Sequence, residues 1–223
     1  MVAADQWAQT VRRQLALGRL LPLGGAADGA WITESAAAGV LRRAAHAALP
    51  AVRLEAVRIA LVNPDSPPAV PPPPSALPPG PLRIEADCAT TAEVPFPETA
   101  ARLRAVLGRC AAERIGLRVE SVDLRLTELL DAEPPPRTAD PTPPQAQAQT
   151  QTQQDPLTRA VLAVPGVARL TLRHRDGHVQ ADIAVTSDHR PLDVARAVRT
   201  AVARASTQVT TPPSTISVMV TAI

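Results

Sequence analysis

The sequence predicts an α+β fold of two tandem diverged α-β-β-α-β units, with antiparallel sheets, helices on one sheet face and an N-terminal helix. Three observations carry this expectation. Apolar residues switch between a period of two and a helical period along the chain. A Pro/Gln/Thr-rich stretch separates two such patterns, and the second pattern repeats the first at a nearly constant offset.

Residues 3–20 read as a helix, with Trp7, Val11 and Leu15 on one stripe and Arg12, Arg13 and Arg19 off it. Leu23-Gly24-Gly25-Ala26-Ala27-Asp28-Gly29 breaks that helix and ends an N-terminal segment, 1–30. The first unit, 31–131, opens with a helix N-capped by Thr33, carrying Ala37, Val40, Leu41, Ala44 and Ala48 on one face and stopping at Pro50. Residues 52–62 alternate as a strand through Val57, Ile59 and Leu61. Residues 63–81, with four consecutive prolines at 71–74, predict an irregular or polyproline-type loop. Leu82, Ile84, Ala86 and Cys88 alternate with Arg83, Glu85 and Asp87 as a half-buried strand. A helix follows from Pro97 with a stripe at Leu103, Val106, Leu107 and Cys110, then a strand from Val119 through Leu126. Residues 132–155 are nearly free of large apolar residues and predict a flexible linker.

The second unit, 156–223, repeats this order. Adding 95 maps Ala86-Asp87 onto Ala181-Asp182, and Leu103, Val106 and Leu107 onto Val198, Ala201 and Val202. The same shift carries Arg104 and Arg109 onto Arg199 and Arg204. Upstream, Leu49-Pro50-Ala51-Val52 meets Val164-Pro165-Gly166-Val167 at a shift of 115, because an Asp176-Gly177 hairpin turn replaces the Pro-rich loop. Downstream, a one-residue slip pairs Val122, Leu124 and Leu126 with Ile216, Val218 and Val220. The leading helix of this copy is stunted, at 156–163.

The core is expected to be thin. Trp7, Trp31 and Phe96 are the only aromatics and Ala supplies much of the 45% apolar content. A buried Val or Leu contributes roughly 1.5–3 kcal/mol, so two such small units are expected to lean on each other or on a partner. All basic residues are Arg, as GC-rich coding favours. The first unit holds 11 Arg against 12 acidic residues and the second 8 Arg against 4 Asp, so the C-terminal unit is the basic one. No apolar run reaches the roughly 18–20 residues of a membrane span, and the N-terminus lacks a signal-peptide pattern. The cytoplasm is the expected compartment.

No residue pattern predicts a catalytic, metal or cofactor site. His174 and His178 flank the hairpin turn and His189 lies further on, too few ligands for a metal, so they read as exposed turn residues. His46 reads as a surface or boundary residue of its Ala-rich helix. Ser187-Asp188-His189 has the residue types of a hydrolase triad, but triad members converge from separate segments. Gly24, Gly25 and Gly29 lack the Gly-Lys-Ser/Thr ending of a phosphate loop and follow no predicted strand. Cys88 and Cys110 fall on apolar faces and read as small core residues. Glu85 and Asp87 lie on a solvated strand face without a desolvated acid partner. Arg173, Arg175, Arg190, Arg196, Arg199 and Arg204 invite a phosphate-binding reading, yet the second unit has no aromatic residue to stack a base.

Gly29-Ala30-Trp31-Ile32-Thr33, Leu49-Pro50-Ala51-Val52, Val94-Pro95-Phe96-Pro97-Glu98 and Leu117 through Leu124 resemble the bacterial alkaline-shock / general-stress cell-envelope family, in a high-GC branch. Val164-Pro165-Gly166-Val167-Ala168-Arg169-Leu170, Val179–Val185 and the 191–205 helix carry the same likeness in the second copy. The chain departs from the family pattern at Ala51, which replaces a Gly, and in the 63–81 loop. The resemblance implies a non-enzymatic scaffold or adaptor in cell-envelope or stress homeostasis, with membrane-anchored protein partners at the inner membrane face and self-association. No cofactor, no small-molecule substrate and no specific nucleic acid is expected. The alternative reading is a weak nucleic-acid- or phosphate-binding regulatory module using the basic C-terminal unit.

The expected interaction surface is the final strand, with Ile216, Val218 and Val220, and the adjacent arginines Arg196, Arg199 and Arg204. That strand carries no charge or proline to blunt its edge, so it is expected to be covered by the first copy, another subunit or a partner's strand. The equivalent first-copy strand, with Glu120, Asp123, Arg125 and Glu128, reads as protected.

Overall fold

The computed structural model describes residues 18–64, 67–134, 155–175, 177–206 and 215–223. The expected N-terminal helix and most of the 132–155 linker lie outside them. At its end the helix expectation is corrected, because Leu20 already opens a strand.

Two short strands, β1 (Leu20–Pro22) and β2 (Ala30–Thr33), precede the first helix and flank a single 3-10 turn, Ala26–Asp28. The first unit is α1 (Glu34–Ala48), β3 (Val52–Leu61), β4 (Leu82–Thr91), α2 (Phe96–Arg109) and β5 (Val119–Leu130). A π-helical turn, Cys110–Ile115, extends α2 and ends at Gly116. The second unit is α3 (Pro156–Leu162), β6 (Val167–Arg175), β7 (His178–Val185), α4 (Pro191–Ser206) and β8 (Thr215–Ala222). The expected α+β class is what the chain adopts.

Local chemistry sets the element ends. Thr33 Oγ1 accepts the Ala36 N–H at 3.3 Å and caps α1, as its position in the sequence suggests. Asp155 does the same for α3 through Leu157 N–H at 3.2 Å. Pro97 sits in the first turn of α2, where no backbone donor is needed.

Each unit contributes a three-strand motif with its second strand in the middle, but the sheets are not purely antiparallel. β3–β4 and β6–β7 are antiparallel hairpins, whereas β4–β5 and β7–β8 are parallel. The reason is the intervening helix. A strand–helix–strand crossover returns the chain to the same sheet end before the next strand starts, so that strand runs parallel. Alternation of apolar residues does not distinguish the two directions.

The registers reproduce the internal repeat. Ala86 lies between Val57 and Leu124, and Ala181 between Leu172 and Val218, at shifts of 95, 115 and 94. A separate bulge in the last strand falls opposite the Cys88–Ala89 step in one copy and opposite the Ile183–Ala184 step in the other, again 95 apart. A bulge that conserves its place is a property of the shared backbone.

One hydrophobic core joins the copies, with buried side chains from all four helices and from both sheets. Gly116, at φ +100°, marks the junction. A Cβ there would meet Leu192 Cβ at 2.4 Å, so the end of α2 and the start of α4 approach too closely for any side chain. Gly24 N–H donates to Gly116 O at 3.2 Å and Arg190 Nη2 to Ala112 O at 2.8 Å across the same junction.

The candidate interaction surface

The sheet of the second unit has five strands in the order β1-β2-β8-β7-β6. β2 runs parallel to β8, with Ala30 opposite Val218, Trp31 opposite Met219 and Ile32 opposite Val220. Val218 N–H donates to Gly29 O at 3.0 Å. The C-terminal strand is therefore closed on both sides by its own chain. Val218 and Val220 are fully buried, and Ile216 packs against the core.

Two of the three arginines singled out in the sequence hold the incoming segment. Arg196 forks onto Asp28, Nε to Oδ1 at 2.8 Å and Nη2 to Oδ2 at 3.1 Å. Arg199 Nη1 donates to the carbonyls of Ala27, at 2.6 Å, and Asp28. Burial pushes the Asp28 carboxyl up, but Arg196, the Gly25 N–H at 2.7 Å and the Arg199 charge outweigh it and hold the pKa below the ordinary value. Gly29, at φ +53°, is required here, since a Cβ would sit 2.8 Å from Val70 Cγ2 and 3.3 Å from Ile216 O. Arg204 stands exposed in the last turn of α4.

The Pro-rich loop also has a place in this sheet. Leu20 N–H donates to Ser75 O at 3.2 Å, Leu77 N–H to Leu20 O at 2.8 Å and Ala69 N–H to Ala26 O at 3.1 Å. Leu20, Trp31, Val70 and Met219 form a second small core on the sheet face away from the main one, with Ala76 against it. Trp31 Nε1 donates to Leu77 O at 3.2 Å. Sequence periodicity missed β1 and β2 because each is too short to show alternation, three and four residues long.

The three-stranded sheet β3-β4-β5 differs at the equivalent position. Among the described residues no strand pairs with the outer edge of β5. Arg104, the counterpart of Arg199, donates from α2 through Nε to Val122 O on that edge, at 3.1 Å. The solvent face beside it is a charge lattice. Arg125 forks onto Asp87 with two bonds of 2.8 Å, Arg53 pairs with Glu55 and Glu128, and Arg83 with Glu85 and Asp123.

The histidines and cysteines have ordinary environments. His178 is half-buried, not an exposed turn residue, with Nδ1 2.7 Å from Thr215 Oγ1 and Nε2 2.9 Å from Ser217 Oγ. Burial lowers its pKa. Ser217 has no solvent exposure and the other ring nitrogen faces a hydroxyl instead of a carboxylate, so the pair lacks both access and an orienting acid. His174 lies opposite Val179, and His178 one residue along points to the other sheet face, so the two do not converge. His189 Nδ1 approaches Thr186 Oγ1 at 3.0 Å and Asp188 Oδ1 at 3.1 Å. Cys88 and Cys110 are buried, and desolvation raises both thiol pKa values. Among the described residues no three His, Cys, Asp or Glu side chains gather as a metal site, and no helix is long and apolar enough to cross a membrane.

No family model, no curated protein and no solved structure matches the chain.

Proposed function

We propose that the protein is a non-enzymatic scaffold or adaptor that acts through protein–protein contacts in cell-envelope or stress homeostasis, at the cytoplasmic membrane face. The observation that carries this reading is the pair of equivalent strand edges. At β8 the fold accepts an added strand through main-chain hydrogen bonds and an arginine clamp, and at β5 the same kind of edge stands without one among the described residues. Strand addition is a general mode of protein recognition. The cellular setting comes from the resemblance of Gly29–Thr33, Val94–Glu98 and Val164–Leu170 to the alkaline-shock family.

Polyanion binding by the basic unit has less support. Arg173 pairs with Asp182, Arg190 with Asp193, and Arg196 and Arg199 with the Asp28 turn, so four of the unit's eight arginines are engaged inside the chain. The discriminating experiment is affinity capture of the full chain at native level, with and without nuclease and added salt. A stoichiometric protein partner that survives both treatments and fractionates with membranes is expected. Capture of nucleic acid alone, abolished by nuclease, overturns the scaffold reading.

A further inference from the structure

We infer that the outer edge of β5 pairs antiparallel with the same edge of a second copy, about a two-fold axis through Leu124. The inference starts from backbone direction. Val218 N–H points at β2, and Ile216 and Val220 lie two residues to either side, so these three residues present their backbone groups to that edge. Their counterparts Val122, Leu124 and Leu126 present theirs to the outer edge of β5, as the Arg104 bond to Val122 O shows. One lone pair of that carbonyl still accepts. An antiparallel ladder joins residues that both face the partner strand, so Leu124 meets its own copy and Val122 meets Leu126.

That register makes the stretch Ser121-Val122-Asp123-Leu124-Arg125-Leu126-Thr127 complementary to itself. Ser121 lies opposite Thr127, and Asp123 opposite Arg125, each twice by symmetry. The charged pairs occupy non-hydrogen-bonded positions, where side chains approach most closely. Asp123 and Arg125 are 64% and 75% exposed, and the fork onto Asp87 leaves Arg125 Nη1 unengaged by that carboxylate. Sliding two residues either way sets Asp123 against itself or Arg125 against itself. A one-residue slip faces paired backbone groups with unpaired ones. The charges that read as simple edge protection therefore also select one register, as isologous contacts require. The bulges of β5 against β4, between Val119 and Ser121 and between Leu126 and Glu128, fall at the two ends of this stretch.

The contact is small and is expected to be concentration-dependent. It rests on the reading of the chain as a protein-contact module, yet purified protein alone tests it, so its failure leaves partner capture standing. Sedimentation of the full chain over a wide concentration range is the experiment. The parent is expected to dimerise. Asp123→Arg and Arg125→Asp each turn two attractive contacts into repulsive ones and weaken association by about tenfold or more. Mixing the two variants restores a one-to-one dimer, because each then faces the opposite charge. The double variant D123R/R125D, which keeps net charge, dimerises like the parent and serves where a single variant fails to fold by circular dichroism. A parent that stays monomeric at all concentrations overturns the proposal. So does a dimer indifferent to both single reversals, or a folded double variant that remains monomeric.

Discussion

Replacing Trp31 by Ala removes the largest side chain of the small core that pins the Pro-rich loop. Trp31 is 1% exposed and packs among Leu20, Val70 and Met219. Truncating a buried aromatic to Ala costs about 3–5 kcal/mol, the spread reflecting how far the site collapses. The lower half is expected here, because a loop closes the cavity on one side and shifts more easily than a packed helix. With about 1.4 kcal/mol per factor of ten, the loss corresponds to roughly a hundredfold or more in the folded-to-unfolded ratio. It is a large share of the 5–15 kcal/mol typical of a domain. Trp31→Phe keeps most of the apolar area and loses the hydrogen bond to Leu77 O, for about 1 kcal/mol. Urea unfolding followed by far-ultraviolet circular dichroism gives both differences. Limited proteolysis adds the location, with cleavage in 67–81 accelerated in Trp31→Ala and little changed in Trp31→Phe. A Trp31→Ala protein within 1 kcal/mol of the parent, with a loop as resistant as before, would show that the loop is not held through this core.

Other perturbations address the clamp, pH and the thiols. Asp28→Asn or Arg196→Ala is expected to cost about 1 kcal/mol, since the pair is charge-assisted but Arg196 is half exposed, measured by the same unfolding curves. The Asp28 carboxyl, depressed in the fold, contributes stability above its ordinary value of 3.8 that is lost as pH falls through the lower folded value. Asp87, held down by Arg125, acts in the same direction, so thermal stability should fall steeply only below that pH. His178 is depressed by burial, so the unfolded chain takes up its proton first and stability also declines as pH drops below 6.5. His178→Gln should flatten that shallower slope. Cys88 and Cys110, with raised pKa values, should react with a disulfide reagent only at the rate of unfolding.

The repeat was legible because its strands are long enough to alternate and its helix stripe survives as Leu103, Val106 and Leu107 against Val198, Ala201 and Val202. Even the slip that sets Leu126 opposite Cys88 and Val220 opposite Ile183 follows from the offsets of 95 and 94. Strand direction was not legible, because pleating alternates side chains identically in parallel and antiparallel sheets. The need to cover β8 could be read from its lack of charge, but the cover itself could not. Ala30–Thr33 is four residues long and merges with the cap of α1. Its docking also depends on Asp28 meeting Arg196 across 168 positions of sequence. The Pro-rich loop was invisible for a related reason. Prolines announce irregular backbone, while the docking of Leu77 on Leu20 and Trp31 is set by tertiary structure alone.

Backbone amide exchange compares the two edges directly. Val218 and Val220 should be protected at every protein concentration, because β2 closes their edge within the chain. Leu124 and Leu126 should exchange freely in dilute solution and gain protection as concentration rises. Fast exchange at Val218 in dilute solution, or concentration-independent protection at Leu124, would contradict a fold with one strand edge closed by its own chain and the other open to a second copy.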